Sequence, residues 1–322
     1  MDQESRGINF AITGVGGFVA PRHLKAIHDT GNRLVAALDP KDSVGILDSY
    51  GYNIRYFTEF ERFDRHLEKL RHGPKTEQVQ FISICSPNYL HDAHCRLALR
   101  IGADVICEKP LVINPWNLDQ LQNLESEFGR QIYTVLQLRL HPEIIKLRQY
   151  LLENPSRARA KVVLTYITAR GPWYKVSWKG DEEKSGGLAM NIGIHFFDLL
   201  LWLFGPIREN SVYLQRDDKV SGFLDLEYAS VCWFLSTDFR DLPFQVIPGQ
   251  QSSYRSLTIN GKEINFTGGF IDLHTRVYEQ ILAGSGFNIE DARPSIELVH
   301  DIRQSPLRQI DDFAHPILFS KK

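Results

Sequence analysis

The chain has 322 residues, enough for two packed domains, since a single core stops growing at about 250–300 residues. With 43% hydrophobic and 24% charged residues, its composition excludes disordered, collagen-like and coiled-coil proteins. Lys plus Arg number 37 against 39 for Asp plus Glu, a formal net charge of −2, which gives no support to a nucleic acid as partner.

The start, MDQESRGINF, lacks the basic and apolar runs of a signal peptide, and no 18-residue apolar stretch is expected to span a membrane. The cysteines Cys85, Cys95, Cys107 and Cys232 lack a zinc-like spacing. Three fall in or beside apparently buried elements, as inert core thiols do. A reducing cytoplasm is the expected compartment.

In chain order, an apolar run over residues 8–13 predicts a strand ended by Gly14-Val15-Gly16-Gly17. A helical pattern with Val19, Leu24 and Ile27 follows, then a strand over 34–38 ended by Asp39-Pro40. This is the opening of a βαβ unit. Helix and loop are expected over 50–71, a strand over 79–84, a helix over 89–100 and a strand over 103–107. A helix over 116–128 and a strand over 132–138 complete a mostly parallel sheet buried on both faces. After about residue 140 the pattern changes. A helix is expected over 141–152, a half-buried strand over 160–168, a polar loop over 171–187 and one helix over 187–204. Strands over 211–214, 221–228, 229–237, 253–259 and 262–266 and helices over 273–282 and 295–303 follow. The expected architecture is α/β: an N-terminal Rossmann domain over residues 1–138 and a C-terminal α+β domain over 139–322 on a largely antiparallel sheet.

The small residues Gly14, Gly16 and Gly17 let the backbone approach a pyrophosphate at a helix N-terminus. The third glycine of the strict fingerprint is replaced by Val19, with Ala20 next. Asp39, closing the next strand, is placed to accept hydrogen bonds from adenosine ribose hydroxyls and to repel a 2′-phosphate, which favours NAD over NADP. The plain alternative is a surface aspartate beside a proline.

Three further motifs follow: Ser86-Pro87-Asn88 with His91, Glu108-Lys109-Pro110, and the run Gly186-Gly187-Leu188-Ala189-Met190-Asn191-Ile192-Gly193-Ile194-His195-Phe196-Phe197-Asp198. With the glycine turn and in this order, they resemble the Gfo/Idh/MocA oxidoreductases over essentially the whole chain. The resemblance implies an NAD site made by Gly14, Gly16, Gly17, Phe18, Val19, Asp39, Ser86, Pro87, Asn88, His91, Glu108, Lys109 and Gln137. Lys109 follows a buried strand, at the sheet edge where such folds bind ligands. Beside a positively charged nicotinamide it can trade protons with a substrate hydroxyl. Asn191, His195 and Asp198 lie at i, i+4 and i+7 of the predicted helix, on one face. His195 is a candidate base, Asn191 a sugar contact and Asp198 a support from behind. A zinc site there lacks a third ligand at a convincing spacing, so no metal is expected. Without chemistry, Lys109 reads as a surface lysine and His195 as a core histidine.

The family's commonest form has aspartate where Asn191 stands, which weakens the transfer of a polyol-dehydrogenase mechanism. The string 191–198 and the loop with Arg170-Gly171-Pro172-Trp173-Tyr174 and Ser177-Trp178-Lys179-Gly180 instead resemble the WlbA and WbpB branch. That branch oxidises UDP-N-acetylglucosaminuronic acid at C3, and an aminotransferase then carries the 3-keto nucleotide sugar toward a surface-polysaccharide sugar. The implied substrate contacts are Lys109, Tyr166, Arg170, Trp173, Lys175, Asn191 and His195, with Lys179 and Trp178 as further loop candidates. Arg139-Leu140-His141-Pro142 reads either as a cofactor or substrate contact or as a simple helix start. Family relatives use the second-domain sheet to form dimers and tetramers, so a homo-oligomer is expected. A keto acid such as 2-oxoglutarate is the candidate for reoxidising the cofactor in place. Two rivals stay open: a dehydrogenase of a free sugar or inositol, and a non-catalytic NAD-binding sensor.

Overall fold

The computed structural model describes residues 7–154, 158–245, 247, 251–264 and 272–320. The chain divides into two compact units, the first made of residues 1–137 and 272–293, the second of 138–271 and 294–322.

The first unit opens with β1 (Asn9–Thr13), α1 (Ala20–Asp29), β2 (Arg33–Leu38), β3 (Arg55–Phe57) and α2 (Phe60–Arg71). It continues through β4 (Phe81–Ile84), α3 (His91–Arg100), β5 (Asp104–Cys107), α4 (Trp116–Phe128) and β6 (Ile132–Thr134). The strands pair in the order β3-β2-β1-β4-β5-β6, and every pairing is parallel. β1 and β4 are buried at every residue, as expected where helices cover both faces. α1 turns His23, Leu24, Ala26 and Ile27 inward, and Gly129, at φ 62°, ends α4 in a left-handed cap. The strand order reverses between β1 and β4, and the carboxyl ends of strands at such a switch point are where doubly wound sheets bind ligands.

The second unit begins with α5 (Pro142–Glu153), β7 (Ala160–Thr168), the short α6 (Trp173–Val176) and α7 (Glu182–Ser185), and α8 (Ile194–Phe204). β8 (Ile207–Gln215), β9 (Lys219–Leu226), β10 (Ala229–Ser236), β11 (Ser253–Ile259) and β12 (Lys262–Ile264) follow. Its sheet has the order β12-β11-β7-β10-β9-β8. β7 and β10 pair in parallel and the other pairings are antiparallel. Trp233 of β10 is fully buried. A Cβ at Gly222 would stand 2.6 Å from its ring, so glycine there makes room for the indole. The ring meets Phe197 of α8 edge-on at 5.1 Å, which seats the helix on the sheet.

After β12 come α9 (Leu273–Leu282), α10 (Ile289–Gln304) and α11 (Ile317–Ser320). Ile317 and Leu318 of α11 pack with Ile167, Phe234 and Leu242 of the second unit. α9 returns to the first unit: Tyr278 stacks on Phe10 at 5.8 Å, and the Phe287 carbonyl accepts from Thr134 N–H at 2.9 Å. α10 passes from the first unit into the second at Pro294.

Several expectations change. The stretch expected as helix and loop over 50–71 contains β3, whose short Arg-Tyr-Phe edge segment carries too little alternation to be read as a strand. Residues 265–266 of the last expected strand lie outside the described residues. α10 starts at Ile289 and runs through Pro294, where a start at 295 was expected. The second unit is not the continuous stretch 139–322, because residues 272–293 rejoin the first. The run Glu182–Phe204 is, by length and composition, apolar enough to cross a membrane, against the expectation that no stretch would be. Of its apolar 18-residue window 72% is buried inside the protein, and Gly186 and Gly187, both at positive φ, interrupt the run: it is a core segment.

Candidate active site

In the first unit, Gly14 adopts φ 77°, and a Cβ there would lie 2.5 Å from the backbone of Cys85 and Ser86 at the end of β4. Only glycine permits both the conformation and the approach. Gly14 N–H donates to the Leu38 carbonyl at 2.8 Å, and Gly17 N–H to the Gly14 carbonyl at 3.0 Å. Asp39 is buried. Its Oδ2 accepts from Gly16 N–H at 2.9 Å and its Oδ1 from Lys41 N–H at 2.9 Å. Its carboxylate thereby ties the end of β2 to the glycine turn, where a ribose beside a bound pyrophosphate would need it. Phe18 is 87% exposed, with the Arg22 guanidinium 5.6 Å from its ring centre. Val19, the N-cap of α1, packs partly buried with Ile12, Leu24 and Cys85.

Ser86, Pro87 and Asn88 leave β4 at the same edge, with Ser86 Oγ 2.9 Å from His94 Nδ1. His91 Nδ1 and Nε2 face the carbonyls of Pro110 (2.7 Å) and Ser86 (2.8 Å), so this buried ring joins the Ser86-Pro87-Asn88 turn to the Glu108-Lys109-Pro110 turn. Burial pushes the imidazole down, against the pull of the two carbonyls. Lys109 is half-buried and precedes a cis proline. Gln137 is buried, and its Oε1 has no hydrogen-bond partner among the described residues.

Glu108, expected as a cofactor contact, turns its carboxylate elsewhere. Oε1 accepts from His23 Nε2 of α1 and from His274 Nε2 of α9, each at 2.9 Å. Burial alone would push the carboxyl up, but the two histidines outweigh it and hold it well below the usual carboxylate range. Sequence reasoning missed this cluster. Its members lie 85 and 166 residues apart, and no local spacing signals them.

In the second unit, the expected helix over 187–204 opens with a π-helical turn over Ala189–Gly193 before α8 begins. A Cβ at Gly193 would stand 2.6 Å from the Leu235 side chain. The one-face argument for Asn191, His195 and Asp198 therefore holds only from His195 to Asp198, since Asn191 sits in the wider turn. Such turns recur at functional sites. Asn191 Nδ2 donates to the Tyr174 hydroxyl at 2.6 Å. Tyr174, which sequence reasoning did not single out, is buried, and burial raises its pKa against the effect of Asn191. His195 is half-buried at the start of α8. Asp198 is buried behind it, accepting from Arg139 Nε at 3.0 Å and Nη2 at 2.6 Å. Arg139, at the domain crossing, is thus a partner of the helix that carries His195.

The loop candidates differ in exposure. Arg170 and Lys175 are exposed, and Trp173 is 52% exposed with Lys179 Nζ 5.8 Å from its ring centre. Tyr166 packs against Phe196 at 4.8 Å and carries the Arg255 guanidinium at 5.5 Å. A groove of about 630 Å3 opens at the amino ends of β1, β2 and β3, lined by Arg33, Arg55 and Lys69 among others. It holds none of the candidate residues, and the carboxyl edge is where the chemistry collects. Burial raises the thiols of Cys85 and Cys107 well above the usual range and that of Cys232 to about 11, so these three are poor nucleophiles.

Two family models match this chain. Residues 8–136 match the oxidoreductase family model for an NAD-binding Rossmann fold, and residues 159–275 match that family's C-terminal alpha/beta domain. A WlbA (WbpB) dehydrogenase from Thermus thermophilus, crystallised with NAD and alpha-ketoglutarate, is 47% identical. The match covers 96% of this chain and 99% of that one, with a TM-score of 0.91. The structure of that dehydrogenase with NAD and UDP-GlcNAcA matches at 46% identity, the same coverage and a TM-score of 0.91. Among curated proteins, 2,7-anhydro-N-acetylneuraminate hydratase of Mediterraneibacter gnavus is 26% identical over 206 residues, 63% of this chain and 50% of the hydratase. The chain spans half or less of the length of the curated relatives it matches first. The chain belongs to the Gfo/Idh/MocA oxidoreductase family.

Proposed function

We propose that this chain is an NAD-dependent nucleotide-sugar dehydrogenase that oxidises the C3 hydroxyl of UDP-N-acetylglucosaminuronic acid to the 3-keto sugar. The observation that carries the reading is the 46% identity, over 96% of the chain, to a dehydrogenase crystallised with NAD and UDP-GlcNAcA. The residues present fit the cofactor: a glycine turn whose first position, Gly14, no Cβ could occupy, closed by an aspartate at the end of β2.

When bound, NAD supplies the carbon that accepts the C3 hydride. The Gly14-Val15-Gly16-Gly17 turn and the N-terminus of α1 would hold the diphosphate, and Asp39 would hold the adenosine ribose. Lys109 or His195 would take the O3 proton as the C3–H bond breaks and the carbonyl forms. Asp198, clamped by Arg139, supports the helix that carries His195. Asn191, bonded to Tyr174, is a sugar contact. Arg170, Lys175 and Lys179 meet the uronate or diphosphate with charge-assisted hydrogen bonds, and Tyr166 and Trp173 offer faces for the uracil or sugar.

The alpha-ketoglutarate bound to the Thermus dehydrogenase supports a cycle in which 2-oxoglutarate reoxidises the cofactor in place. Exposed Leu307, Ile310, Phe313 and Phe319 beside the second-unit sheet support a homo-oligomer. The test is a substrate panel followed by NADH absorbance, with and without 2-oxoglutarate. Turnover of the nucleotide sugar, with inositol and glucose inert, upholds the reading. Turnover of the free polyols alone assigns a polyol dehydrogenase, and NAD binding with no turnover assigns a sensor.

A further inference from the structure

A fully buried carboxylate is expensive unless every lone pair it offers is met, and Glu108 stands immediately before the proposed proton-transfer lysine. Its partners come from three places in the first unit. His23 reaches it from α1 and His274 from α9, both through Nε2 to the same oxygen at 2.9 Å. Behind His23, the Tyr278 hydroxyl lies 2.8 Å from Nδ1, and Ser83 Oγ lies 2.6 Å from that hydroxyl. Because Glu108 is held as an anion, both Nε2 atoms facing it carry hydrogen. Tyr278, kept protonated by burial, then donates to His23 Nδ1. The ligand atoms of His23, Glu108 and His274 lie within 4.8 Å of one another. With hydrogens on both nitrogens that face the carboxylate, the cluster forms a hydrogen-bond network.

The network grips one side of a turn whose other side is also held. Lys109 N–H donates to Glu108 Oε2 at 3.3 Å, and the Pro110 carbonyl faces His91 Nδ1 at 2.7 Å. The residue between these two anchors is Lys109. We propose that His274, carried back to the first unit on α9, is a positioning residue for Lys109: together with His23 it fixes the Glu108 carboxylate that holds the Lys109 backbone N–H. This rests on the role given to Lys109 above. The other titratable groups around the carboxylate are His91 of α3, Tyr278 of α9, and Cys85 and Cys107 at the strand ends, and Arg22 of α1 acts on His23. Its hydrogen-bond donors among the described residues are His23, His274 and the Lys109 backbone N–H.

The direct test needs no substrate. Lys109 in the NAD-loaded protein is titrated by competitive acetylation with acetic anhydride, read by mass spectrometry of its peptide. The wild type is compared with His274→Leu, His274→Gln and Glu108→Gln. Loss of the donor, or of the negative charge on the residue next to Lys109, should lower the Lys109 midpoint, by about one pH unit in His274→Leu and Glu108→Gln. His274→Gln, which keeps an N–H donor, should return it to within a few tenths of the wild type. With substrate, kcat should fall about tenfold in His274→Leu while KM for the nucleotide sugar stays within about twofold. An unchanged Lys109 midpoint in both His274→Leu and Glu108→Gln overturns the proposal, as does failure of His274→Gln to rescue. If His274→Leu does not fold, the isosteric Glu108→Gln decides alone. A wild-type protein inert toward the nucleotide sugar would sink the functional reading, while the acetylation titration would still decide the positioning.

Discussion

Lys109 and His195 carry the proposed proton transfer, and general acid–base groups of this kind contribute about 10²–10⁴-fold. Lys109→Met and His195→Asn should therefore each lower kcat/KM for the nucleotide sugar by at least about 100-fold in steady-state assays. The His195 variant should still bind NAD as the wild type does, because His195 belongs to the second unit and the dinucleotide contacts to the first. Asp39 presents a sharper case. Both of its oxygens accept backbone N–H bonds, so Asp39→Asn must turn an amide N–H toward a donor. NAD affinity measured by calorimetry should fall about tenfold, and the preference for NAD over NADP should narrow. At this scale the sequence was informative where a local motif carries its own geometry, as at Gly14 and Asp39. It could not assign Glu108, whose neighbours in the chain read as a cofactor motif while its actual partners are His23 and His274.

Elements carry function through the few residues that let them approach. Gly14→Ala places a Cβ 2.5 Å from the backbone at Cys85 and Ser86 in a left-handed conformation. It should cost about 1–3 kcal/mol of stability and abolish NAD binding, read by thermal melts with and without NAD. The Arg139–Asp198 pair is buried on both sides and fixes α8 from behind. Arg139→Met removes two donors from a buried carboxylate and should cost about 3–5 kcal/mol, whereas the double variant Arg139→Met with Asp198→Leu should recover most of that in urea melts. Helix and strand identities were legible for most elements because their apolar periods are strong, as in β7, whose bounds Ala160–Thr168 match the expected 160–168. The π-turn before α8 was not, because its sequence, AMNIG, continues the apolar run and only tertiary packing of Gly193 against Leu235 and Phe197 marks the place. β3 was hidden for the opposite reason, being three residues of a sheet edge.

For the whole molecule, each unit holds a histidine kept neutral by burial: His94 in the first and His315 in the second, both pushed down to about 4. His315 accepts from Ile317 N–H through Nδ1 at 3.2 Å and meets Thr165 Oγ1 through Nε2 at 2.9 Å, which suits the neutral ring. An unfolded histidine titrates near 6.5, so between that value and about 4 the unfolded chain binds more protons. The stabilisation is full above about pH 6.5 and is lost as pH falls toward 4, by up to about 1.4 kcal/mol per pH unit for each histidine. Urea midpoints should drop over that window, and His94→Gln should flatten the drop for the first unit. The two-unit plan was legible from the change of pattern near residue 140. The return of 272–293 was not, since a helix's partner cannot be read from its own period.

The central claim is hydride transfer from C3 of a nucleotide sugar to NAD. It is tested most directly with UDP-N-acetylglucosaminuronic acid deuterated at C3, incubated with the holoenzyme and 2-oxoglutarate and followed by mass spectrometry. The account predicts a keto sugar that has lost its deuterium and 2-hydroxyglutarate that has gained it. Deuterium retained in the sugar would contradict it.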